Sequence, residues 1–289
     1  MGYNERFVSE VNSFEEYIHF IKEYKEKNNC ELWYRGHASN AWELKPNLYR
    51  NAKMDVGDGK EITRLRYNIV NFNNEFKKFK QKVLNEGLSD TLELNDFHLM
   101  FIAQHYGMLT PILDWTIDPL VALFFAVEEA NKFNDNFPVI YILKPNLLNE
   151  SSMVCKSDKS SIKEPICIDD ISNESFYRLT KDLNNTPANH IPIAIFSEMD
   201  FSHRISRQSG RFTLHGAIGP LNYSWNDITI KGQQFTDKIK INAGAVEEMK
   251  EYLSSLSINK NTVYRKLNTP LDKICNRIKQ EELKKFERE

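Results

Sequence analysis

The chain has 289 residues, with 38 Lys and Arg against 40 Asp and Glu, for a formal net charge of −2. So even a balance gives no global basic field to recruit nucleic acid, although a local basic patch stays open. Its four cysteines (Cys30, Cys155, Cys167, Cys275) include no CxxC pair, and its longest apolar run, Pro119–Val127, is too short for a bilayer. Zinc-finger, thioredoxin-type and membrane-spanning readings are thereby excluded, and the expectation is a cytoplasmic protein with reduced thiols.

Ser13-Phe14-Glu15-Glu16 reads as a capping box, and Phe14, Tyr17, Ile18, Ile21 and Tyr24 then repeat at helical spacing to about Lys27. Leu32–Gly36 reads as a short strand that ends at a glycine turn. Ile62, Leu65, Ile69, Phe72, Phe76, Phe79 and Val83 alternate spacings of three and four, which predicts one long helix stopped by Gly87. Asn95 or Asp96 caps a helix that runs to Gly107. Asp118 and Pro119 are the N-cap and first residue of the next one. Both helices are apolar on nearly every face, so burial is expected.

Phe137–Leu143 is rich in β-branched and aromatic residues and reads as a buried strand. Pro192–Ser197, Gly210–His215, Asp227–Lys231 and Lys238–Ile241 are further strands. Residues 146–190 are polar and irregular, and read as a surface excursion. Helices dominate from Ala243: one to about Leu256, one around Thr262–Leu267 and a charged one from Leu271. The expected fold class is α+β: residues 1–289 as a single mixed-sheet domain with flanking N-terminal and C-terminal helices.

Residues 101–126 concentrate chemistry between the two apolar helices: His105, Tyr106, Gly107, Thr110, Asp114, Trp115 and Thr116. A connector that only joined helices needs none of it, and side chains held on a rigid scaffold are how pockets are built. Arg35, between Tyr34 and Gly36 at a strand end, can aim its fork of donors at a carboxylate or phosphate, and Gly36 permits close approach. An ion pair with Asp114 is the plainer role for Arg35. His105 sits at a helix C-terminus, where a cation is favoured. Asp114, flanked by Leu113 and Trp115, is expected to be partly buried and to need a partner, with Arg35, Arg204 and Arg207 as candidates. Such a pairing favours a bracing carboxylate over a catalytic base. Arg204, Arg207, Gln208 and Arg211 precede a strand and could form a basic loop over a phosphate-bearing ligand.

Together these pieces resemble the FRG domain, named for a Phe-Arg-Gly tripeptide, here Tyr34-Arg35-Gly36. Gln104-His105-Tyr106-Gly107, Thr110, Leu113-Asp114-Trp115-Thr116 and Pro119–Ala126 resemble the family's central motif. Arg204-Ile205, Gln208, Gly210 and Phe212 resemble its third block. The similarity spans roughly residues 28–215, with trailing strands and helices over 216–289. The family's usual Arg after the Thr of the central motif is here Pro111.

The motif layout is also similar, at a distance, to the ADP-ribosyltransferase superfamily. The FRG resemblance implies a role in bacterial or phage defence or toxin action, and this second resemblance implies NAD as cofactor or substrate. It implies that Arg35 holds the NAD phosphates or ribose, that His105 and Tyr106 orient the nicotinamide end, and that Asp114 braces Arg35. Gln208 would lie near the scissile bond. Gly36, Thr110, Trp115, Thr116 and Arg204 would complete the cofactor-binding set, with no metal. A protein or nucleic-acid target and an antitoxin or defence partner follow as expectations. The alternatives are a non-catalytic module that binds a nucleotide, nucleic acid or phage component, and a metal nuclease built on Asp114, Asp118 and Glu128.

Overall fold

Alternation of apolar side chains with a period of two builds the centre of the molecule. The computed structural model describes residues 7–55, 61–65, 69–85, 94–105, 107–130, 136–151, 164–169, 192–198, 210–215, 229–230 and 233–264. In chain order the elements are β1 (Ser9–Val11), α1 (Phe14–Asn28), β2 (Trp33–His37), β3 (Asn51–Asp55), β4 (Glu61–Leu65), α2 (Ile69–Asn85), α3 (Asp96–His105), β5 (Ile112–Thr116) and α4 (Pro119–Val127). They continue as β6 (Val139–Leu143), α5 (Pro145–Ser151), β7 (Ile166–Cys167), β8 (Ile193–Phe196), β9 (Gly210–Leu214), β10 (Thr229–Ile230), β11 (Gln233–Gln234), β12 (Thr236–Ile241), α6 (Val246–Ser255) and α7 (Lys260–Val263). The fold is α+β.

An eight-stranded mixed sheet in the order β1-β12-β6-β2-β5-β9-β8-β7 carries the architecture. β2 pairs with β6 along its whole length, from Trp33 opposite Leu143 to His37 opposite Val139. β5 pairs with β9 along its whole length, from Ile112 opposite Leu214 to Thr116 opposite Gly210. Between β2 and β5 there is a single bridge, Tyr34 opposite Thr116. The sheet is therefore two well-laddered halves meeting at a seam.

Because side chains alternate across a sheet, the register assigns the faces. Tyr34, Gly36, Ile112, Asp114 and Thr116 lie on one face. Over one half of that face, α1, α4 and α6 bury Tyr17, Ile21, Ala122, Phe124, Met249 and Leu253 with Ile140 and Ile239. Over the other half, α2 and α3 bury Phe76, Phe79, Phe97 and Phe101 against Ile112, Ile193 and Phe212. The Phe101 and Phe212 rings stack at 3.9 Å. On the opposite face Trp33, Leu113, Trp115, Val139 and Tyr141 pack under Leu44, Leu148 and Phe235.

Gly36 is where helix meets sheet most closely. A Cβ there would lie 1.9 Å from the Ala122 carbonyl oxygen and 2.6 Å from the Ala126 nitrogen. α3 stops at Gly107 with φ 86°. The Gly107 N–H reaches the Gln104 carbonyl and the Met108 N–H reaches the Ala103 carbonyl, a Schellman closure that needs a left-handed residue. Asp118 caps α4 by accepting from the Leu120 and Val121 N–H groups, with Pro119 in the first turn as expected.

Four expectations are corrected. Residues 61–65 are strand β4, paired to β3, and the helix begins only at Ile69. Ile62 and Leu65 stand three apart, which is a helical spacing, and no alternation in Glu61-Ile62-Thr63-Arg64-Leu65 marks a strand. The stretch at 112–116 is a central strand, not a loop between helices. Within the excursion expected at 146–190, the described residues are not all surface: Leu148, Asn149 and Ile168 are fully buried. The Asn149 amide bonds both the N–H and the carbonyl of Ala194, acting as a one-residue extension of the sheet edge. Finally, Glu16 reaches back to the Asn12 N–H rather than to that of Ser13. The stop at Gly87, residues 152–163 and 170–190, and the helix from Leu271 lie outside the described residues.

Candidate functional site at the sheet seam

Beyond the Tyr34–Thr116 bridge, the next rungs would set Gly36 opposite Asp114. The ladder does not continue. The Arg35 guanidinium lies there instead, its Nη1 donating to the Asp114 carbonyl oxygen at 2.6 Å. Its Nε donates to His37 Nε2 at 2.9 Å. Two sides of the fork are thus fixed, while Nη2 has no partner among the described residues. The side chain is 18% exposed. Burial, opposed by the Asp114 charge and helped by the nearby Arg50, lowers the Arg35 pKa to about 10. At neutral pH the group stays charged.

His37 is two residues along the same strand and so faces the same way. Since its Nε2 accepts from Arg35, its Nδ1 carries the proton and donates to the Trp42 carbonyl at 3.2 Å. Burial first, then the Arg35 and Arg50 cations, hold its pKa well below the usual histidine value. It is a neutral spacer with both nitrogens committed.

The Asp114 carboxylate leaves on the helix-covered face. Its Oδ2 lies 4.0 Å from Arg35 Nη1, and its side chain is 57% exposed. This corrects the expectation of partial burial: strand alternation turns Asp114 away from buried Leu113 and Trp115. The pairing with Arg35 expected for Asp114 exists, made closest through the backbone carbonyl. Gln104 Nε2 donates to Asp114 Oδ1, and Thr110 Oγ1 donates to Gln104 Oε1. The end of α3 and the start of β5 are locked together by that chain.

Across the seam, Trp115 Nε1 donates to Thr213 Oγ1 at 3.0 Å. Thr213 Oγ1 in turn lies 3.0 Å from His215 Nε2. Burial, then the Arg35 charge, holds His215 well below its ordinary pKa. Both histidines near the guanidinium are neutral, and the local charge is positive.

The other expected site residues are placed as follows. Gly36 faces α4. Thr110 is buried in its bond to Gln104. Trp115 is core. Thr116 Oγ1 accepts from the Asp118 N–H. His105 ends α3, with its side chain outside the described residues, as are Tyr106, Arg204 and Gln208. His37, Trp42, Arg50, Gln104, Thr213 and His215 were missed as site residues. For His37, Thr213 and His215 a signal existed: each stands at an even spacing, on the same strand face, from a residue already singled out or a second network member.

A second polar cluster lies at the far sheet edge. Asp169 accepts from His98 Nε2 at 2.8 Å, from Ser197 Oγ at 2.5 Å and from the Glu198 N–H at 2.8 Å. His98 Nδ1 accepts from the Asn95 N–H, so the imidazole is no base for Ser197, and the cluster ties α3 to the edge strands. The metal-nuclease reading is overturned by the roles of its acids. Asp118 is a helix cap, and Glu128 is held by Lys260 and Tyr264 at the other end of α4. Among the described residues no group of three acid, His or Cys side chains could hold a metal, and no helix is long and apolar enough to cross a membrane.

Residues 30–135 match the model of the FRG domain, so an FRG domain is present. The match takes in Tyr34-Arg35-Gly36 and the central motif through Ala126. The block at 204–212 lies beyond it. No curated protein and no solved structure matches the chain.

Proposed function

We propose that the seam between β2 and β5 binds a phosphate-bearing dinucleotide, NAD, and that the protein is an ADP-ribosyltransferase-like effector of bacterial or phage defence or toxin action. One observation carries this reading. An arginine is clamped on two sides, by His37 and by the Asp114 carbonyl, where the ladder between β2 and β5 stops, and its Nη2 has no partner among the described residues. A preorganised planar fork is what phosphate recognition asks of a protein. The surrounding charge favours an anion, because Arg50 lies near enough to depress both Arg35 and His37.

The chemistry such a site performs needs few groups. The bond between C1′ of the ribose and the nicotinamide nitrogen breaks, and its electron pair leaves with neutral nicotinamide. A target nucleophile adds to C1′ and loses its proton. The protein holds the phosphates and stabilises the oxocarbenium-like ribose. Arg35 binds the diphosphate. Asp114, exposed and 4.0 Å away, is the acid beside it. His105 and Tyr106 orient the nicotinamide end and Gln208 stands near the scissile bond. A protein or nucleic acid is the acceptor, and an antitoxin or defence partner would restrain the activity.

A second reading is nucleotide binding without turnover. It is favoured by the commitments around Arg35: both His37 nitrogens are bonded, and Asp114 Oδ1 accepts from Gln104. One experiment separates the two. Purified protein is incubated with NAD and a bacterial lysate beside Arg35→Ala. Nicotinamide release and ADP-ribose adducts are followed by mass spectrometry. Adducts that vanish in the variant support transfer. NAD bound but not consumed supports the binding module.

A further inference from the structure

The loop after β2 presents an aromatic ring beside the arginine, and the phosphate reading does not use it. Trp42 is 42% exposed. That is unusual for an indole on a loop that leaves a central strand of the sheet, since large aromatics dominate cores. The exposure is enforced by a rigid turn. The Trp42 N–H bonds the Ser39 carbonyl, and the Ala41 N–H bonds Ser39 Oγ. Asn40 is tied in both directions to Phe137, through its N–H and its side-chain oxygen. The Trp42 carbonyl accepts from His37 Nδ1, and the indole meets the His37 ring edge-on at 5.9 Å.

One imidazole therefore separates the guanidinium from the indole: Arg35 Nε on its Nε2, the Trp42 backbone on its Nδ1. The same loop ends at Arg50, exposed, whose Nε donates to the Lys45 carbonyl at 3.0 Å. Lys45 is paired with Glu43, and Arg50 lies near enough to Arg35 to lower its pKa. A ring and a guanidinium on one braced loop, beside the Arg35 guanidinium on β2, match a ligand that carries a planar ring close to phosphate.

Resting on the Arg35 reading, we infer that residues 38–50 are the specificity element of the site: Trp42 stacks on a ring of a nucleotide whose phosphates are held by Arg35 and Arg50. Trp42 is thus a ring-selecting residue and the ligand class is a nucleotide, not an inorganic anion.

The test is titration calorimetry of the whole protein with NAD, AMP and inorganic pyrophosphate, for wild type, Trp42→Ala and Trp42→Phe. Stacking predicts that Trp42→Ala weakens NAD and AMP about tenfold, leaves pyrophosphate within about twofold, and is largely rescued by Phe. Equal losses for all three ligands in Trp42→Ala, or no loss for any, would overturn the inference. Wild type that binds pyrophosphate as tightly as NAD would overturn it too, and leave the phosphate site standing. Folded wild type that binds none of the three would overturn the phosphate site, and this inference with it.

Discussion

Arg35 and His37 are coupled, and the coupling has a pH signature. His37 and His215 are both buried with folded pKa values well below the ordinary one. In the unfolded chain each takes up a proton near pH 6.5, while in the fold each resists it. The unfolded state therefore binds more protons below that pH, and stability is lost as pH falls through about 6.5 toward the folded values. Each histidine adds a slope of up to about 1.4 kcal/mol per pH unit. Urea unfolding at pH 7 and pH 5 should show the loss, and His215→Asn should flatten it. A flat profile in wild type would mean that the histidines are not buried beside a cation. Gly36 makes a second residue-scale prediction. Gly36→Ala puts a methyl group into the backbone of α4, so the strand or the helix must move. A loss of about 3 kcal/mol is expected in chemical denaturation. A loss below about 1 kcal/mol would contradict the close packing of α4 on β2.

At the scale of elements, the ends of α4 and the edge of the sheet carry the clearest expectations. Asp118→Ala removes the acceptor for two N–H groups at the start of α4 and should cost about 1 kcal/mol. Asn149→Leu keeps the volume but strips both hydrogen bonds from the Ala194 backbone. Two buried backbone groups then go unpaired, for about 2–4 kcal/mol. A thermal melt of each variant checks both, and a larger loss for Asp118→Ala than for Asn149→Leu would reverse the account.

Elements with a strong period or a marked boundary were legible from the residues alone. Asp118-Pro119 announced α4, Gly107 announced the end of α3, and the β-branched run at 139–143 announced β6. Short elements were not. In β4 the residues Ile62 and Leu65 fit a helical stripe that truly begins at Ile69. In β5 the polar residues read as loop chemistry, although Ile112, Asp114 and Thr116 against Leu113 and Trp115 is a period of two. β7 and the Asn149 bridge depend on partners far away in sequence, and no local pattern encodes those.

On the scale of the whole molecule, the sheet is two ladders joined at one rung, with a different set of helices over each half. The candidate site sits at the join because a ladder that stops frees a carbonyl, and Arg35 takes it. The association of Arg35 with Asp114 could be read from the sequence. Their geometry could not: Asp114 engages chiefly by its backbone, and strand alternation exposes the carboxylate that Leu113 and Trp115 seemed to bury. Thr110, Trp115 and Thr116, expected in the cofactor-binding set, each make a hydrogen bond within the protein. His37, Trp42 and Arg50 belong to the site through a turn that composition does not reveal.

The central claim is that Arg35 is a preorganised phosphate fork. It is tested most directly by measuring the affinity of NAD for wild type and for Arg35→Lys by titration calorimetry, with circular dichroism to confirm that both are folded. Lysine keeps the charge but carries its three donors on one nitrogen, without the planar fork that serves His37, the Asp114 carbonyl and a ligand from separate nitrogens. The account predicts that affinity falls by about tenfold or more in the variant, the loss of a charged hydrogen bond. Equal affinities, or a folded wild type that does not bind NAD, would contradict it.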